Sequence, residues 1–439
     1  MDRRSFLYLS AYTAIGLKLG LSPFGSESLA QTSLQPHPRN SISGDLVAAC
    51  LNLERDGAYS RENYRAALVR LDLKTGTVTK NYIKMQKPHD VLPVKDNYLV
   101  LPNMQNGQPL HFTNFSSGEG KDVILDDRYV IGGHGFFDEK NNIVVVSVRD
   151  DKKGRRGVFA ILDPDDHRLL DMIPIEGRSP HDIQLLDEDT LAVCNYNIES
   201  GYSAEDETGF MAKAKDGYSY LSLYDRKTFK LKASIPAYNN AMISHATVTK
   251  DGDLYGIGFQ EYRDPEVEEW TNEDLRKKFQ NFYSYNHSEL SSQWPDIAKN
   301  SKLHREEKSL GRYGLPILPM HMSAGSNALD SLHFNDFHHR RAQSICYVKE
   351  TNMVCMSFPY TDSVKLYNAT THESHDVFGR DLNLKEMRGI CAIEGTPYLA
   401  IAGIRRGMTV IDTRTREFVQ HFGGSLGRII HMHHIPRET

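Results

Sequence analysis

An all-β, seven-bladed propeller is the fold class that this sequence predicts, and three observations predict it. Histidine recurs at the same place in successive repeats, at His89, His134, His181 and His245, in steps of 45, 47 and 64 residues; regular spacing of this order marks stacked or radial repeats. Apolar β-forming runs that end in Asp and a polar turn recur between those histidines. The last residues of the chain offer a strand that can pair with the first, so the ring closes without an exposed sheet edge.

The elements follow in chain order. Arg3-Arg4-Ser5-Phe6-Leu7 precedes a moderately apolar stretch and then Ser28-Leu29-Ala30. This order of charged, apolar and small residues predicts a twin-arginine signal peptide over 1–30, export to the periplasm or medium, and a polar linker over 31–43. No later segment is apolar enough to span a membrane. The propeller is expected over 44–439, of the YVTN and WD40-like kind.

Blade strands are read from two registers. Ala67–Asp72, Val158–Asp163, Leu221–Asp225 and Thr409–Asp412 each run into a polar turn, with Val364–Asn368 as a fifth copy, and these are expected to be third strands turning into outer fourth strands. Inner strands are expected at His89–Pro93, His134–Phe137, His181–Leu186, His245–Thr249, Ser344–Val348, Arg388–Ile393 and Arg428–Ile435, the last completing the blade that Asp45–Cys50 continues. Residues 264–312 break the pattern. They are polar, contain both tryptophans (Trp270 and Trp294) and show helix-like spacing around Val267–Trp270 and Leu275–Phe279, which predicts a helical insertion, either a partner surface or a decorative loop.

Composition narrows the function. The 439 residues carry a formal net charge of −5, which predicts no dedicated cationic surface for nucleic acid outside the N-terminal segment. The five cysteines form no C-x-x-C pair and lie in apolar runs, as buried free thiols do, although one disulfide is open to them. Nucleophile-elbow, phosphate-loop, zinc-protease and haem-attachment motifs are all missing, so no activity is predicted.

Equivalent positions of adjacent blades face one axis, so His89, His134, His181 and His245 are candidate ligands for a transition metal such as Zn, Cu or Fe at the channel rim. His431 and His433, which share a face of the closing strand, are weaker candidates. Asp90 and Asp182 would point to the other face of a regular strand and are expected to orient the ligands rather than bind the ion. Ser344 and Arg388 occupy the ring positions of the remaining blades and are candidates for a small anionic ligand. The competing expectation is structural: a histidine at this place can hydrogen-bond neighbouring blade loops with no ion at all.

Gly133-His134-Gly135-Phe136-Phe137-Asp138, Ser179-Pro180-His181-Asp182-Ile183, Ile243-Ser244-His245 and Arg388-Gly389-Ile390-Cys391, spread over most of the chain after residue 44, resemble a bacterial exported propeller family catalogued as domain of unknown function 1513 (DUF1513). The resemblance implies a periplasmic propeller whose genes sit near iron-uptake and haem-enzyme components, and no established activity. Three functions remain open: a metal or small-anion binding propeller accessory to metal handling, an oxidoreductase or lyase using a metal or a quinone, and an interaction scaffold with a periplasmic partner on 264–312.

Overall fold

A computed structural model describes residues 42–52, 65–85, 88–102, 107–115, 117, 119–196, 219–237, 242–259, 319–332, 334, 342–359, 361–403, 407–423 and 426–437. The expected signal segment, nearly all of the linker and the 264–312 insertion lie outside these residues.

Seven four-stranded antiparallel sheets form the blades. Blade I takes three strands from the start of the chain, β1 (Asp45–Asn52), β2 (Arg65–Asp72) and β3 (Val78–Ile83). Blade II holds β4 (Pro88–Val94), β5 (Asn97–Pro102), β6 (Leu110–Thr113) and β7 (Gly120–Val123). Blade III holds β8 (Tyr129–Asp138), β9 (Ile143–Asp150), β10 (Arg156–Asp163) and β11 (Arg168–Arg178). Blade IV holds β12 (Pro180–Asp187), β13 (Thr190–Asn195), β14 (Ser219–Asp225) and β15 (Leu231–Ala237). Blade V holds β16 (Met242–Val248), β17 (Leu254–Phe259), β18 (Met320–Met322) and β19 (Asp330–Ser331). Blade VI holds β20 (Ser344–Val348), β21 (Met353–Phe358), β22 (Ser363–Asn368) and β23 (Ser374–Phe378). Blade VII holds β24 (Met387–Ala392), β25 (Tyr398–Gly403), β26 (Gly407–Asp412) and β27 (Phe418–Phe422). The final strand, β28 (Arg428–Ile435), pairs with β1 and completes blade I from the inside. Arg437 then clamps the terminus to Asp45 and Asp72 at 2.7 and 2.9 Å.

The core is divided. Leu46, Ala48 and Cys50 of β1 pack with blade VII, whereas Val47 and Ala49 of the same strand pack with blade II. Successive side chains of a strand point to opposite faces, and each blade is covered on both, so its central strands need apolar residues at every position. Seven clusters result, one between each pair of neighbouring blades. This arrangement explains the continuous apolar runs in the sequence.

In five blades the polar residue ending the third strand closes the turn to the outer strand. Asp72 Oδ1 accepts from the Lys74 and Thr75 amides at 2.8 and 2.9 Å. Asp163, Asp225, Asn368 and Asp412 repeat the contact in their own blades. Asn368 serves as well as Asp because only an acceptor oxygen is required.

A buried ion pair joins blades III and IV. Arg226 donates in a fork to Asp138, with Nε 2.9 Å from Oδ2, and the Asp138 side chain is 1% exposed. Arg226→Ala strands a buried carboxylate, so about 3–5 kcal/mol of stability is expected to be lost. Urea unfolding of the variant measures it; a loss under about 1 kcal/mol would assign the pair to the solvated class.

All five cysteines are free thiols.

Candidate metal centre

The five histidines that meet on the propeller axis come from five consecutive blades: His431 from β28, His89 from β4, His134 from β8, His181 from β12 and His245 from β16. All are buried, none more than 7% exposed. Ligating atoms of His89, His134, His245 and His431 lie within 4.8 Å of one another. His181 adjoins this group, its Nε2 3.2 Å from His245 Nε2.

Backbone irregularity makes the convergence possible. Ladder register shifts occur between Pro88 and Asp90, Ile131 and Gly135, Pro180 and Ile183, and Ile243 and His245. The β1–β28 ladder shifts between Ala48 and Cys50, opposite the stretch that carries His431. Each histidine therefore stands in or at the edge of a β-bulge, which re-aims side chains and commonly does so beside functional sites. In blade III the bulge needs its two glycines. A Cβ on Gly133, whose φ is +113°, would lie 2.6 Å from His89 Cδ2, and one on Gly132 would lie 2.3 Å from the Pro180 carbonyl.

Hydrogen bonds at Nδ1 set the tautomers. His134 Nδ1 lies 2.8 Å from Asp90 Oδ2, and a carboxylate can only accept, so the proton is on Nδ1. His181 Nδ1 donates to the Gly132 carbonyl. His245 Nδ1 is 3.1 Å from Ser244 Oγ, whose own hydrogen goes to the Ile257 carbonyl at 3.2 Å, so the hydroxyl accepts. In their neutral forms all three rings thus present an Nε2 lone pair to the axis. Yet His134 and His245 Nε2 are 3.1 Å apart, and His89 and His134 Nε2 also 3.1 Å. His89 Nδ1 and His431 Nε2 are buried without a hydrogen-bond partner among the described residues.

The ionisation balance matches. Burial first, then repulsion among neighbouring imidazoles, holds the proton affinity of His89, His181, His245 and His431 well below the ordinary histidine range. Burial also pulls on His134, but the charge and hydrogen bond of Asp90 outweigh it and raise its pKa. Asp90, also buried, is held well below the usual carboxylate range by His433 and His134, against the upward pull of burial.

The residues singled out in the sequence take different places. His89, His134, His181 and His245 come together as the repeat spacing suggests, and His431 joins them. His433 does not enter the cluster; its Nε2 donates to Asp90 Oδ1 at 3.0 Å, with the ring 36% exposed. Asp90 is not turned away, because the bulge at His89 brings it under the His134 ring of the next blade. Asp182 is buried but holds the backbone: it accepts from the Ala246 amide at 2.9 Å and from Gln184, and burial raises its pKa. Ser344 bonds Ser357 through its amide at 3.0 Å. Arg388 bonds Gln343 at 3.0 Å and lies 3.6 Å from Glu386. Sequence reasoning passed over Ser244, the Gly132 carbonyl and Tyr196, which stacks on His181 with ring centres 4.8 Å apart. For the first two the signal was their position beside a repeated histidine; for Tyr196 there was none.

No protein-family model matches the chain, and no curated protein matches it. Among solved structures it is similar to a structural-genomics protein from Lactobacillus plantarum, at 9% identity and a TM-score of 0.54, over 90% of this chain and 100% of that one. A chain of a mitotic checkpoint complex matches at 9% identity and a TM-score of 0.47, over 79% of this chain and 88% of that one. At such identity the Lactobacillus likeness shows a shared fold alone.

Proposed function

We propose that the protein binds one transition-metal ion on the propeller axis, with His89, His134, His245 and His431 as ligands and His181 completing or flanking the set. One observation carries this reading. Three imidazoles whose Nδ1 protons are committed elsewhere bring Nε2 lone pairs against one another, His134 to His245 at 3.1 Å and His181 to His245 at 3.2 Å. Without a proton or a cation between them such lone pairs repel. Two nitrogens so spaced, each about 2.0–2.1 Å from one ion, subtend about 100° at it, between the octahedral and tetrahedral angles.

A set of imidazoles without thiolate suits copper, zinc, iron or nickel, and disfavours magnesium or calcium, which prefer oxygen. Asp90, behind His134, fits the carboxylate that orients a ligating imidazole and increases its basicity. Burial of every ring favours a retained ion over a freely exchanging one. The rest of the proposal, export through the twin-arginine segment and a part in periplasmic iron or other metal handling, rests on residues 1–30 and on the family resemblance.

Elemental analysis of the untagged protein, expressed with metal supplied, tests the site. About one ion per chain is expected, and His134→Ala/His181→Ala should lose it while keeping the β-sheet circular dichroism of the parent. A parent without metal, or a double variant that retains it, would return the cluster to a purely structural role.

A further inference from the structure

A second site lies between blades III and IV, with no part in the metal reading. A cavity of about 420 Å3 is lined by the end of β11, the start of β10 and the adjoining parts of β13 to β15. This is an ordinary size for a small-molecule pocket. Its rim is cationic, and the run Lys152-Lys153-Gly154-Arg155-Arg156 is a basic cluster outside the N-terminal segment that the net charge of −5 did not signal. Lys153 and Arg156 line the cavity, and Arg178 stands directly opposite Arg156 across the β10–β11 ladder. Like charges facing each other across strands destabilise a sheet unless something neutralises them. Among the described residues, no carboxylate lies in ion-pair range of Lys153, Arg156 or Arg178; Arg156 Nε reaches only the Ile175 carbonyl, at 3.5 Å.

The floor is polar and incomplete. Asn195 is 1% exposed. Its Nδ2 donates to the Val193 carbonyl and Ser222 Oγ at 3.1 and 3.0 Å, which fixes which way the amide faces. Its Oδ1 is buried without a partner. Beside that oxygen the chain has Gly177, where a Cβ would stand 2.5 Å from Oδ1. Glycine therefore lets Asn195 Oδ1 pack closely against the main chain at the cavity floor, and an unsatisfied buried acceptor is costly unless a donor reaches it.

We infer that this cavity binds a small hydroxy-carboxylate, its carboxylate held by Arg178, Arg156 and Lys153 and a hydroxyl donating to Asn195 Oδ1. Glu176, also on the rim, accepts from a second hydroxyl and disfavours anions that lack donors. The guanidinium forks suit a planar carboxylate. A long polyanion would neutralise the rim but leave Asn195 unmatched.

Titration calorimetry at low salt, on the full folded protein, tests this with gluconate, glycerate and citrate against glucitol, which lacks the charge, and sulfate, which lacks the donor. At least one hydroxy acid is expected to saturate one site with Kd below about 1 mM, at least tenfold tighter than glucitol or sulfate. Arg178→Ala, at a partly exposed side chain, should weaken it at least tenfold and leave the metal content unchanged. Gly177→Ala should also abolish binding. No saturation by any of the three acids, sulfate binding as tightly as they do, or full affinity in Arg178→Ala would each overturn the assignment. Because metal content is read separately, failure here is distinguishable from failure of the axial site.

Discussion

Stripped of metal, the protein is expected to unfold in acid within about two pH units below 6.5, and a bound ion should move that midpoint down by about one unit. His89, His181, His245 and His431 have pKa values held well below the ordinary one. In the unfolded chain each titrates near 6.5. As pH falls below that value the unfolded state takes up protons that the folded state refuses, so stability present at higher pH is lost. Each such histidine lowers stability by about 1.4 kcal/mol per pH unit, so four together reach at most about 5 kcal/mol per unit. This is comparable with the whole stability of a typical domain, about 5–15 kcal/mol. His134, with its raised pKa, works the other way, but only above about 6.5, where the folded state holds a proton that the unfolded state has released; its contribution is lost as pH rises through the folded value. An ion at about a thousand times its Kd adds about 4 kcal/mol. Circular dichroism across an acid titration, with and without added copper or zinc, reads both effects. Coincident curves, or an apoprotein still folded at about pH 4, would contradict the ionisation balance described above.

Asp90→Asn is expected to reduce metal affinity by about 10- to 100-fold with little change of shape. The carboxylate accepts three hydrogen bonds, from His134 Nδ1 and the Val91 amide at 2.8 Å and from His433 Nε2 at 3.0 Å. An amide must turn its NH2 toward one of the two rings. Facing His134, it pushes the imidazole proton from Nδ1 to Nε2, where it occupies the lone pair needed by the ion. Facing His433, it leaves the His134 tautomer intact but removes the negative charge that strengthens the ligand. Competition with a chromophoric chelator measures the change, and His433→Gln, which keeps Asp90 ionised, should cost far less. Wild-type affinity in Asp90→Asn would remove the carboxylate from the site.

The propeller could be read from the sequence because its blades are buried on both faces. Runs such as Leu46–Cys50 divide between two interblade clusters, and the Asp or Asn that ends the third strand in five blades marks the turn by chemistry that acts locally. The site was less legible. A bulge is a relation between two strands and leaves little trace in one of them. Regular alternation therefore turned Asp90 away from the axis, placed His431 and His433 together and gave no reason to prefer His431. The cationic corner at Lys152–Arg156 was lost in the near-neutral total, since net charge averages over a surface on which a single cavity rim can be strongly positive.

The position of His431 on β28 has a consequence for when the ion can be captured. During synthesis four of the five imidazoles emerge long before the last, since His431 follows His245 by 186 positions. The strand that carries it is also the one that closes blade I. If the axial cluster holds an ion as proposed, an unfinished or unclosed chain would lack the complete ligand set, and the ion would be taken up only where the ring shuts. Ion occupancy becomes a readout of finished molecules: a chain lacking β28 should be metal-poor and quickly degraded.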